Sequence, residues 1–416
     1  MSGWASRVPV PRVAGVMAAA RRAGAWTADS KAVLFHDLDR LGSHLAQLRT
    51  ALPDDALHAV AVKANPVVAV LREVVAAGCG LEAASWEEVA LAVAAGCPPD
   101  RIVFDGPAKT DTELRDALAL GVWLNADNAA ELERLEALGA PGRARIGIRV
   151  NPGVGAGRIG ITSTVGKASK FGVPLADAPA LIRRYPFVTG LHVHTGSQGC
   201  GLDLLSAAAR ATAEVAVALD LAWLDVGGGL PVRYTASDPE PPPVSAWADA
   251  LRDTPAWGRL RLLTELGRSV HAGCGFAVSR IETVKTMEGR PLLTVHLGAD
   301  FLLRRVYAAS DWDHELVVLD PDGVPREGPC VASSVGGPLC FAGDLIARNR
   351  PLPRAQPGDL LLIRDVGAYT LSMWSRHCSR GLPPVWGVRG EETVPLLAGE
   401  TADDVVAFWS RGVTRG

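Results

Sequence analysis

The sequence predicts an α/β fold in which a closed, parallel (β/α)8 barrel of the TIM type is followed by a C-terminal β-rich domain of sandwich-like or barrel-like form. The first observation is a series of eight short apolar runs between residues 58 and 265, and the second is the helix-like segment in most intervals. The third is a change to β-rich sequence after about residue 268. Because parallel strands need crossover helices, eight such units favour a closed barrel over an open doubly wound sheet.

The predicted strands and helices alternate along the barrel region. Each predicted strand is a short, mainly aliphatic run, which is typical of parallel strands buried on both faces. The predicted strands cover residues 58–63, 80–84, 101–104, 122–125, 145–150, 188–194, 221–226 and 260–265. The clearest predicted helices cover residues 67–77, 86–95, 111–120, 129–138, 176–184 and 202–220.

The rest of the chain predicts a second domain. Residues 279–297 and 314–320 are rich in strand-forming residues, and residues 358–364 predict a further strand. We therefore expect an N-terminal segment (1–34) that packs with the C-terminal domain, the barrel (35–270), and a β domain (271–416) that contributes to the active site.

Composition excludes several classes of function. The 416 residues carry a formal net charge of −3, which gives no electrostatic basis for binding nucleic acid or an anionic membrane. No stretch of eighteen uncharged apolar residues occurs, so no membrane-spanning helix is expected. The seven cysteines are odd in number and form no CxxC pair, which indicates the reducing cytoplasm rather than a disulfide framework.

Lys63 is the first candidate catalytic residue. It ends the first predicted strand and is followed by Asn65-Pro66, at the mouth of a β-to-α unit. In a (β/α)8 barrel the active site forms at the carboxyl ends of the strands. A desolvated lysine can lose its proton and form a Schiff base, which arginine cannot do. The alternative is that Lys63 only pairs with a neighbouring carboxylate.

Polar groups also follow other predicted strands. They are Glu82-Ala-Ala-Ser85, Arg149-Val-Asn151, His192-Val-His194-Thr-Gly-Ser197-Gln198, Asp225-Val-Gly227-Gly228-Gly229 and Glu265-Leu-Gly267-Arg268. The backbone N–H groups of Gly227, Gly228 and Gly229 can converge on an anion, and phosphate sites recur at this place in such barrels. Arg268 and Ser197 would complete a phosphate site. The alternative is a tight turn that needs positive φ.

A Schiff-base lysine beside a phosphate site predicts pyridoxal 5′-phosphate as the cofactor. Glu265 would pair with the pyridine nitrogen and keep it protonated, which makes the ring a strong electron sink. We expect the ring of His194 to stack on the cofactor and the ring of His192 to pack in the core. Two histidines at i and i+2 could also bind a metal, but no third ligand is evident nearby, so we expect no metal.

The sequence resembles the fold-type III pyridoxal-phosphate enzymes of the diaminopimelate/ornithine decarboxylase family. The motifs that carry the resemblance occur in the family's order: Val62-Lys63-Ala-Asn65-Pro, Arg149-Val-Asn-Pro152, Ser169-Lys170-Phe-Gly172, His194-Thr-Gly-Ser197-Gln, Gly227-Gly-Gly229, Glu265-Leu-Gly267-Arg268, Gly336-Gly-Pro-Leu-Cys340-Phe-Ala-Gly-Asp344 and Asp365-Val-Gly-Ala-Tyr369. The resemblance implies that Lys63 binds the cofactor covalently and that Glu265 pairs with the pyridine nitrogen, with His194 on the ring face. The residues that it implies for the cofactor's phosphate end are Ser197, Gly227, Gly228, Gly229, Gly267, Arg268 and Tyr369.

The resemblance also implies roles for the second domain. Arg304 would bind a substrate carboxylate, and Cys340 would reach the active site of the partner subunit and protonate the substrate carbanion. Phe341, Asp344 and Tyr369 would line the substrate site. Both domains and a partner would then build each site, so the resemblance implies a homodimer with shared active sites.

Three departures from the family pattern bear on the substrate. The family usually has an acid directly after the cysteine, where it contacts a distal ammonium, but this chain has Phe341. An apolar ring would leave such a buried ammonium unpaired, at a cost of several kcal/mol. Leu266 replaces the usual proline, and His377-Cys378 replaces a frequent Tyr-Asn pair near the substrate end. We therefore predict decarboxylation of an amino acid or amino-acid derivative with a different distal end.

Two other functions remain open on the sequence. The first is a racemase or epimerase on the same fold, although such racemases tend to place an arginine at the pyridine nitrogen, so Glu265 favours decarboxylation. The second is a non-catalytic barrel that binds pyridoxal phosphate. Proteins of that kind usually lack a second domain, so residues 279–416, with Cys340 and Tyr369, argue against it.

Overall fold

The computed structural model describes residues 6–166 and 168–412, which form two compact units. The barrel unit contains Leu41–Arg233 and Pro239–Val270. The second unit contains Ser6–Arg40, Tyr234–Asp238 and the chain from His271 onward. Of the predicted N-terminal segment, residues 1–5 lie outside the described residues.

The chain begins with helix α1 (Val10–Arg22), strand β1 (Ala32–Asp37) and helix α2 (Leu38–Ala51). The barrel sheet then contains β2 (Leu57–Ala61), β3 (Gly80–Ala83), β4 (Ile102–Phe104), β5 (Trp123–Ala126), β6 (Arg145–Asn151), β7 (Val173–Pro174), β8 (Val188–His192), β9 (Trp223–Asp225) and β10 (Arg261–Thr264). The helices of this region are α3 (Val68–Ala76), α4 (Trp86–Ala94), α5 (Asp111–Leu120), α6 (Ala129–Ala137), α7 (Ala178–Arg184), α8 (Leu202–Ala218), α9 (Val244–Arg252) and α10 (Arg268–His271).

The barrel sheet is closed. Its strands follow the order β5-β4-β3-β2-β10-β9-β8-β6, and β6 pairs back with β5. Every pairing in this ring is parallel. The short strand β7 lies outside the ring and pairs with β6. The predicted (β/α)8 barrel is therefore confirmed, and each of the eight predicted strands overlaps one strand of the ring.

Capping residues place several helices directly after the strands. The side chain of Ser85 accepts a hydrogen bond from the backbone N–H of Glu88 at the start of α4. Thr110 and Glu113 form a reciprocal capping box at α5, and Asn128 caps α6. Because a cap satisfies backbone N–H groups that have no partner within the helix, the chain turns from strand to helix within a few residues.

An apolar layer fills the barrel near the amino ends of its strands. It contains Leu57, Ala59, Val103, Trp123, Trp223 and Leu263, all buried. The rings of Trp123 and Trp223 meet edge to face with centroids 5.2 Å apart. A Cβ atom at Gly147 or Gly190 would lie 2.3 Å or 2.1 Å from the Trp223 ring. Glycines on two strands thus make room for one tryptophan.

The second unit is built on a mixed sheet. Its remaining strands are β11 (Gly275–Met287), β12 (Arg290–Val295), β13 (Leu316–Leu319), β14 (Cys330–Gly336), β15 (Leu345–Pro353), β16 (Leu360–Arg364), β17 (Val385–Arg389) and β18 (Glu392–Leu397), and its further helices are α11 (Leu303–Tyr307) and α12 (Ala402–Trp409). The sheet order is β15-β14-β12-β11-β1-β17-β18, with β16 paired to β11 and β13. Strand β1 pairs antiparallel with β11 and parallel with β17. The predicted β-rich domain is confirmed, although β1, β14, β15, β17 and β18 were not predicted.

Short 3-10 helices occur at Val62–Ala64, Pro99–Arg101, Gly160–Thr162, Leu175–Asp177, Ala272–Cys274, Leu371–Met373 and His377–Ser379. None of the seven cysteines, all in the described part of the chain, forms a disulfide. Across residues 6–166 and 168–412, every helix is too short or too polar to cross a bilayer.

Candidate active site

Lys63 lies in a 3-10 turn just beyond the end of strand β2. The strand ends at Ala61, two residues earlier than predicted, because Val62–Ala64 forms the turn. The Nζ atom of Lys63 lies 2.5 Å from Oε1 of Glu82 on β3, whose side chain is fully buried, while that of Lys63 is 32% exposed. Ala61 and Glu82 are register partners, so adjacent strands bring the two groups together. Lys63 therefore pairs with a neighbouring carboxylate, as the alternative predicted. Its amine nevertheless stays partly accessible.

The carboxyl groups of Glu82, Asp105, Asp225 and Glu265 are buried at this end of the barrel. Burial, with the nearby charges of Asp105 and Glu265, holds the pKa of Glu82 well above its usual range. Burial and the charge of Glu265 likewise raise the pKa of Asp225. Because adjacent charges are costly to bury together, this environment favours the protonated forms of Glu82 and Asp225.

Glu265 follows strand β10 and lies between two histidines. Its Oε2 atom is 3.3 Å from Nε2 of His192 and 3.2 Å from Nδ1 of His194. Burial alone would raise the pKa of Glu265, but these two rings hold it well below its usual range. Burial lowers the pKa of His194. The Oε1 atom of Glu265 is buried and has no hydrogen-bond partner among the described residues, so it is available to a donor in the site.

The ring of His192 is fully buried, as predicted, and it also contacts the Glu265 carboxylate. The expectation that no third ligand lies near His192 and His194 is wrong, because Glu265 brings three potential ligand atoms within 4.8 Å of one another. Glu265 was predicted among the groups at the strand ends, but its distances to the two rings follow only from the folded barrel.

The three glycines after β9 form a tight, crowded turn. Gly227 and Gly229 have φ of 64° and 121°, as the turn alternative required. A Cβ atom at Gly228 would lie 2.4 Å from the backbone oxygen of Glu265. The N–H of Gly227 donates to Asp225, and that of Gly228 lies 3.4 Å from Nδ1 of His194. The turn geometry is therefore confirmed, and phosphate binding at it stays a prediction.

Of the other predicted phosphate ligands, Ser197, Gly267 and Arg268 lie in the barrel unit, and Tyr369 lies in the second unit. Nε of Arg268 donates to Oγ of Ser197 at 3.1 Å. Gly267 is buried between β10 and α10, and the backbone oxygen of Leu266 accepts from the N–H of Ala61. A backbone hydrogen bond thus links the end of β2 to the residues just before α10.

Two further motifs meet beside β6. The guanidinium of Arg149 lies 4.4 Å from the ring centroid of Phe171, which is within cation–π distance. A Cβ atom at Gly172 would lie 2.9 Å from the backbone oxygen of Arg149. The predicted motifs at 149–152 and 169–172 therefore form one structural element.

In the second unit, Arg304 and Tyr369 are in contact. The guanidinium of Arg304 lies 4.9 Å from the ring of Tyr369 and 4.8 Å from that of Trp312. Tyr369 has φ of 56°, an unusual value for a residue with a side chain. The surrounding fold therefore determines the local conformation of this tyrosine.

The loop that contains Cys340 and Phe341 contacts His377 and Cys378, which also depart from the family pattern. Cys340 is exposed, and its backbone N–H lies 3.5 Å from Sγ of Cys378. The half-buried ring of Phe341 is nearly parallel to that of Tyr307, with centroids 6.1 Å apart, and meets His377 edge-on at 6.2 Å. The departures at 341, 377 and 378 thus form one local cluster.

Asp344 has a structural role that the sequence did not predict. Its two carboxylate oxygens accept hydrogen bonds from the backbone N–H groups of Ala299 and Leu339. A Cβ atom at Gly298 or Gly337 would lie 2.3 Å from this carboxylate. The position of Asp344 on the substrate side stays a prediction, since these bonds already explain its burial.

Sequence reasoning missed Asp105 and Asn125. Asp105 directly follows β4, and Asn125 lies on β5, where its Nδ2 donates to Asp225 at 3.4 Å. The rule that barrel sites form at the carboxyl ends of strands would have found both, had it been applied to the third and fourth strands.

The barrel site has the features that pyridoxal 5′-phosphate requires. An open carboxylate oxygen on Glu265 can accept a hydrogen bond from a pyridinium, and Lys63 provides an accessible amine. The glycine turn has no room for side chains, which suits close approach of a phosphate to the backbone. The residues present therefore fit this group.

Comparisons with known proteins agree with this geometry. The family model for the pyridoxal binding domain of pyridoxal-dependent decarboxylases matches residues 38–272, more than half of the chain. The diaminopimelate decarboxylase of Zymomonas mobilis is 32% identical over 364 residues, covering 84% of this chain and 85% of the relative. That of Pseudomonas aeruginosa is 34% identical over 361 residues, covering 83% and 85%.

A solved structure extends the similarity to both units. The diaminopimelate decarboxylase from Helicobacter pylori, complexed with L-lysine, aligns with a TM-score of 0.85 and 26% identity, covering 94% of this chain and 100% of that chain. The pyridoxal-binding family model implies pyridoxal 5′-phosphate as the cofactor. The chain therefore belongs to the fold-type III pyridoxal-phosphate-dependent decarboxylase family, as a divergent relative of the diaminopimelate decarboxylases.

Proposed function

We propose that this enzyme decarboxylates an amino acid, or an amino-acid derivative, whose distal end carries no ammonium. The observation that carries the proposal is the aromatic cluster of Phe341, Tyr307 and His377, at the place where the family resemblance implies a carboxylate. The proposal goes beyond the family membership, which concerns the reaction at the α-carbon.

The barrel residues would act on the cofactor end of the reaction. When bound, pyridoxal 5′-phosphate supplies the electron sink that accepts the electrons left by the departing carboxylate. Lys63 would hold the cofactor through its amine, and Glu265 would keep the pyridine nitrogen protonated. The ring of His194 would lie against the cofactor face, while Ser197 and Arg268 would bind its phosphate.

The second unit would act on the substrate. Arg304 would bind a substrate carboxylate, and Sγ of Cys340 would return a proton to the α-carbon. Because Cys340 and Tyr307 are exposed in a single chain, we propose that the surface they share completes the site of a second copy in a homodimer. Sedimentation of the full-length chain as a monomer would contradict this part of the proposal.

The proposal for the distal end of the substrate is based on the charge of the groups that would surround it. The Helicobacter pylori relative binds L-lysine, whose side chain ends in an ammonium. Stacked aromatic rings could attract an ammonium by about 0.5–2 kcal/mol. Burying it without a carboxylate costs several kcal/mol, which exceeds that attraction. The cluster therefore favours an apolar, aromatic or otherwise uncharged distal group.

A substrate panel with one charge reversal tests the proposal. The purified enzyme with its cofactor would be assayed for CO2 release from amino acids with neutral, aromatic, ammonium and acylated ends. In Phe341→Glu, the ratio of kcat/KM for a diamino acid to that for a neutral amino acid should rise about tenfold or more, because a charged hydrogen bond contributes roughly 1.5–3 kcal/mol.

Phe341→Leu is the matched control, because it removes the ring without adding charge. It should leave the ratio between diamino and neutral amino acids near that of the wild type. Wild-type preference for a diamino acid, or an unchanged ratio in Phe341→Glu, would contradict the proposed substrate class.

A further inference from the structure

His192, His194 and Glu265 bring three potential metal ligands together at the carboxyl end of the barrel. Oε2 of Glu265 lies 3.3 Å from Nε2 of His192 and 3.2 Å from Nδ1 of His194, and the three atoms lie within 4.8 Å of one another. The side chains of His192 and Glu265 are fully buried, while that of His194 is 16% exposed. The cluster is therefore buried, but solvent reaches it at His194.

Hydrogen bonding does not explain the position of His192. Both of its ring nitrogens are buried and have no aligned hydrogen-bond partner among the described residues, although Nε2 lies close to Glu265. Burying an imidazole without such a partner is costly. A buried polar group in this situation is typical of a position that binds a water molecule or an ion. At His194, the N–H of Gly228 is 3.4 Å from Nδ1, which is longer than an ordinary hydrogen bond, so this nitrogen is also available to a ligand.

The spacing of the three atoms fits a tetrahedral metal ion. Zinc binds imidazole nitrogen and carboxylate oxygen at about 2.0–2.2 Å. Because the ligands of a tetrahedral ion subtend the tetrahedral angle, two of them are roughly 3.3 Å apart at these bond lengths. The separations of 3.3 Å and 3.2 Å from Oε2 of Glu265 match this value. Two imidazoles and one carboxylate are ligands that suit zinc, and three protein ligands leave a fourth position for water.

The surroundings of the cluster favour a cation. Oδ2 of Asp105 lies 4.0 Å from Nε2 of His192, and Oδ1 of Asp105 and Oε1 of Glu265 are buried without a hydrogen-bond partner among the described residues. The nearby ammonium of Lys63 lies 2.5 Å from a different carboxylate, that of Glu82. Since buried carboxylates are stabilised by a metal or another cation, a divalent ion here would offset the cost of burying Asp105 and Glu265 together.

We propose that His192, His194 and Glu265 bind a divalent transition-metal ion in the cofactor-free chain, with Zn²⁺ as the ion that fits best, and that this ion and the cofactor exclude each other. The exclusion rests on the proposed function, in which Glu265 pairs with the pyridine nitrogen and the ring of His194 lies against the cofactor. A carboxylate that binds a dication no longer offers its charge to a pyridinium, and coordination fixes the ring of His194. Metal binding itself does not depend on that function.

Titration calorimetry of Zn²⁺ into the full-length, cofactor-free chain tests the metal site. His192→Phe keeps a ring but removes both nitrogens, so the dissociation constant should rise about 100-fold or more, because a ligand is lost. Glu265→Gln should weaken binding similarly and serves if His192→Phe does not fold. The matched control is His58→Gln, which changes a buried histidine in the apolar layer and should leave the affinity unchanged. Unchanged affinity in His192→Phe or Glu265→Gln would overturn the proposed site.

Spectra of bound Co²⁺ identify the ligands, because thiolates add an intense ultraviolet charge-transfer band that histidine and glutamate do not. Such a band would place the metal at the exposed cysteines and overturn the site.

Competition tests the exclusion. One equivalent of Zn²⁺ should lower the absorbance of bound pyridoxal 5′-phosphate, and a chelator should restore it. The cofactor bound by His192→Phe should not respond, which also controls for zinc held by free cofactor. Full cofactor absorbance with zinc still bound would overturn the exclusion. Absence of that absorbance in the wild type with chelator would instead contradict the proposed function, while calorimetry would still decide the metal site.

Discussion

The interior of the barrel has an apolar layer and a polar layer that differ in what they do for the protein. Leu57, Trp123 and Trp223 are the first residues of β2, β5 and β9, and they lie in the apolar layer. Glu265 and Lys63 lie beyond the last residues of their strands, in the polar layer. Strands β2, β4, β9 and β10 thus contribute both to the packed core and to the groups at their carboxyl ends, which are Lys63, Asp105, Asp225 and Glu265.

The two layers have opposite effects on the free energy of folding. Burying the Trp123 and Trp223 rings favours folding, because it removes a large apolar area from water. Burying the carboxyls of Glu82, Asp105 and Asp225 opposes folding, because ionised groups lose their hydration. The polar layer therefore serves the chemistry at the expense of stability, which the apolar layer has to supply.

The largest effect is expected from replacing Lys63. The substitution should reduce the activity, which depends on the polar layer, without reducing the stability, which depends on the apolar layer. Lys63→Ala should lower kcat by roughly 10⁴-fold and abolish the absorbance of the bound cofactor, because no amine remains to bind it. Decarboxylase assays and absorbance spectra would measure both effects. The thermal unfolding of the cofactor-free chain should change little, since the apolar layer is intact.

Lys63→Arg provides the control for charge. It keeps a cation beside Glu82 but cannot form a Schiff base, so it should be as inactive as Lys63→Ala. Substantial activity in Lys63→Arg would mean that the positive charge, and not the amine, is what the reaction needs.

Acid should reduce the stability of the fold by protonating His58. This residue lies between Leu57 and Ala59 of the apolar layer, and its ring contacts the hydroxyl of Thr264 at 3.0 Å. Burial, with repulsion from Arg49 and Arg101, lowers the pKa of His58 from 6.5 to about 4. Between these values the unfolded chain binds more protons than the folded chain, so the free energy of unfolding falls as the pH falls. The loss by pH 4 should be about 3 kcal/mol.

His58→Gln should remove this part of the pH dependence, because glutamine does not titrate but can still bond to Thr264. Urea unfolding of the wild type and the variant at pH 7 and at about pH 4.5 would measure the difference. Equal losses of stability on acidification would show that His58 keeps its ordinary pKa in the folded barrel.

The two layers also differ in how far the sequence predicted them. The apolar strands could be predicted from the sequence, because parallel strands buried on both faces have continuous aliphatic runs. Lys63 and Glu265 were predicted from their positions at strand ends. Asp105 was missed, because the rule for strand ends was not applied to the third predicted strand. Its burial at the site becomes visible only in the folded barrel.

The second unit was harder to predict, because its strand pairings are distant in the sequence. Strand β17 pairs with β1, so residues near 385 depend on residues near 34. A run such as Val385–Arg389 contains a glycine and no clear alternation, so its neighbours alone do not predict a strand. The aromatic cluster around Phe341 likewise depends on Tyr307 and His377 coming together in space.

The smallest expected effect tests the packing of the apolar layer. A Cβ atom at Gly190 would lie 2.1 Å from the Trp223 ring, so Gly190→Ala must displace a buried ring held on all sides. We expect a loss of about 2 kcal/mol in the free energy of unfolding, measured with urea, because overpacking a core typically costs roughly 1–3 kcal/mol.

Gly42→Ala is the control. Gly42 lies in the interior of α2, and a Cβ atom there would meet nothing within 4 Å. That variant should gain about 0.5–1 kcal/mol from helix propensity. Equal effects of the two substitutions would show that room for Trp223 is not what glycine provides at position 190.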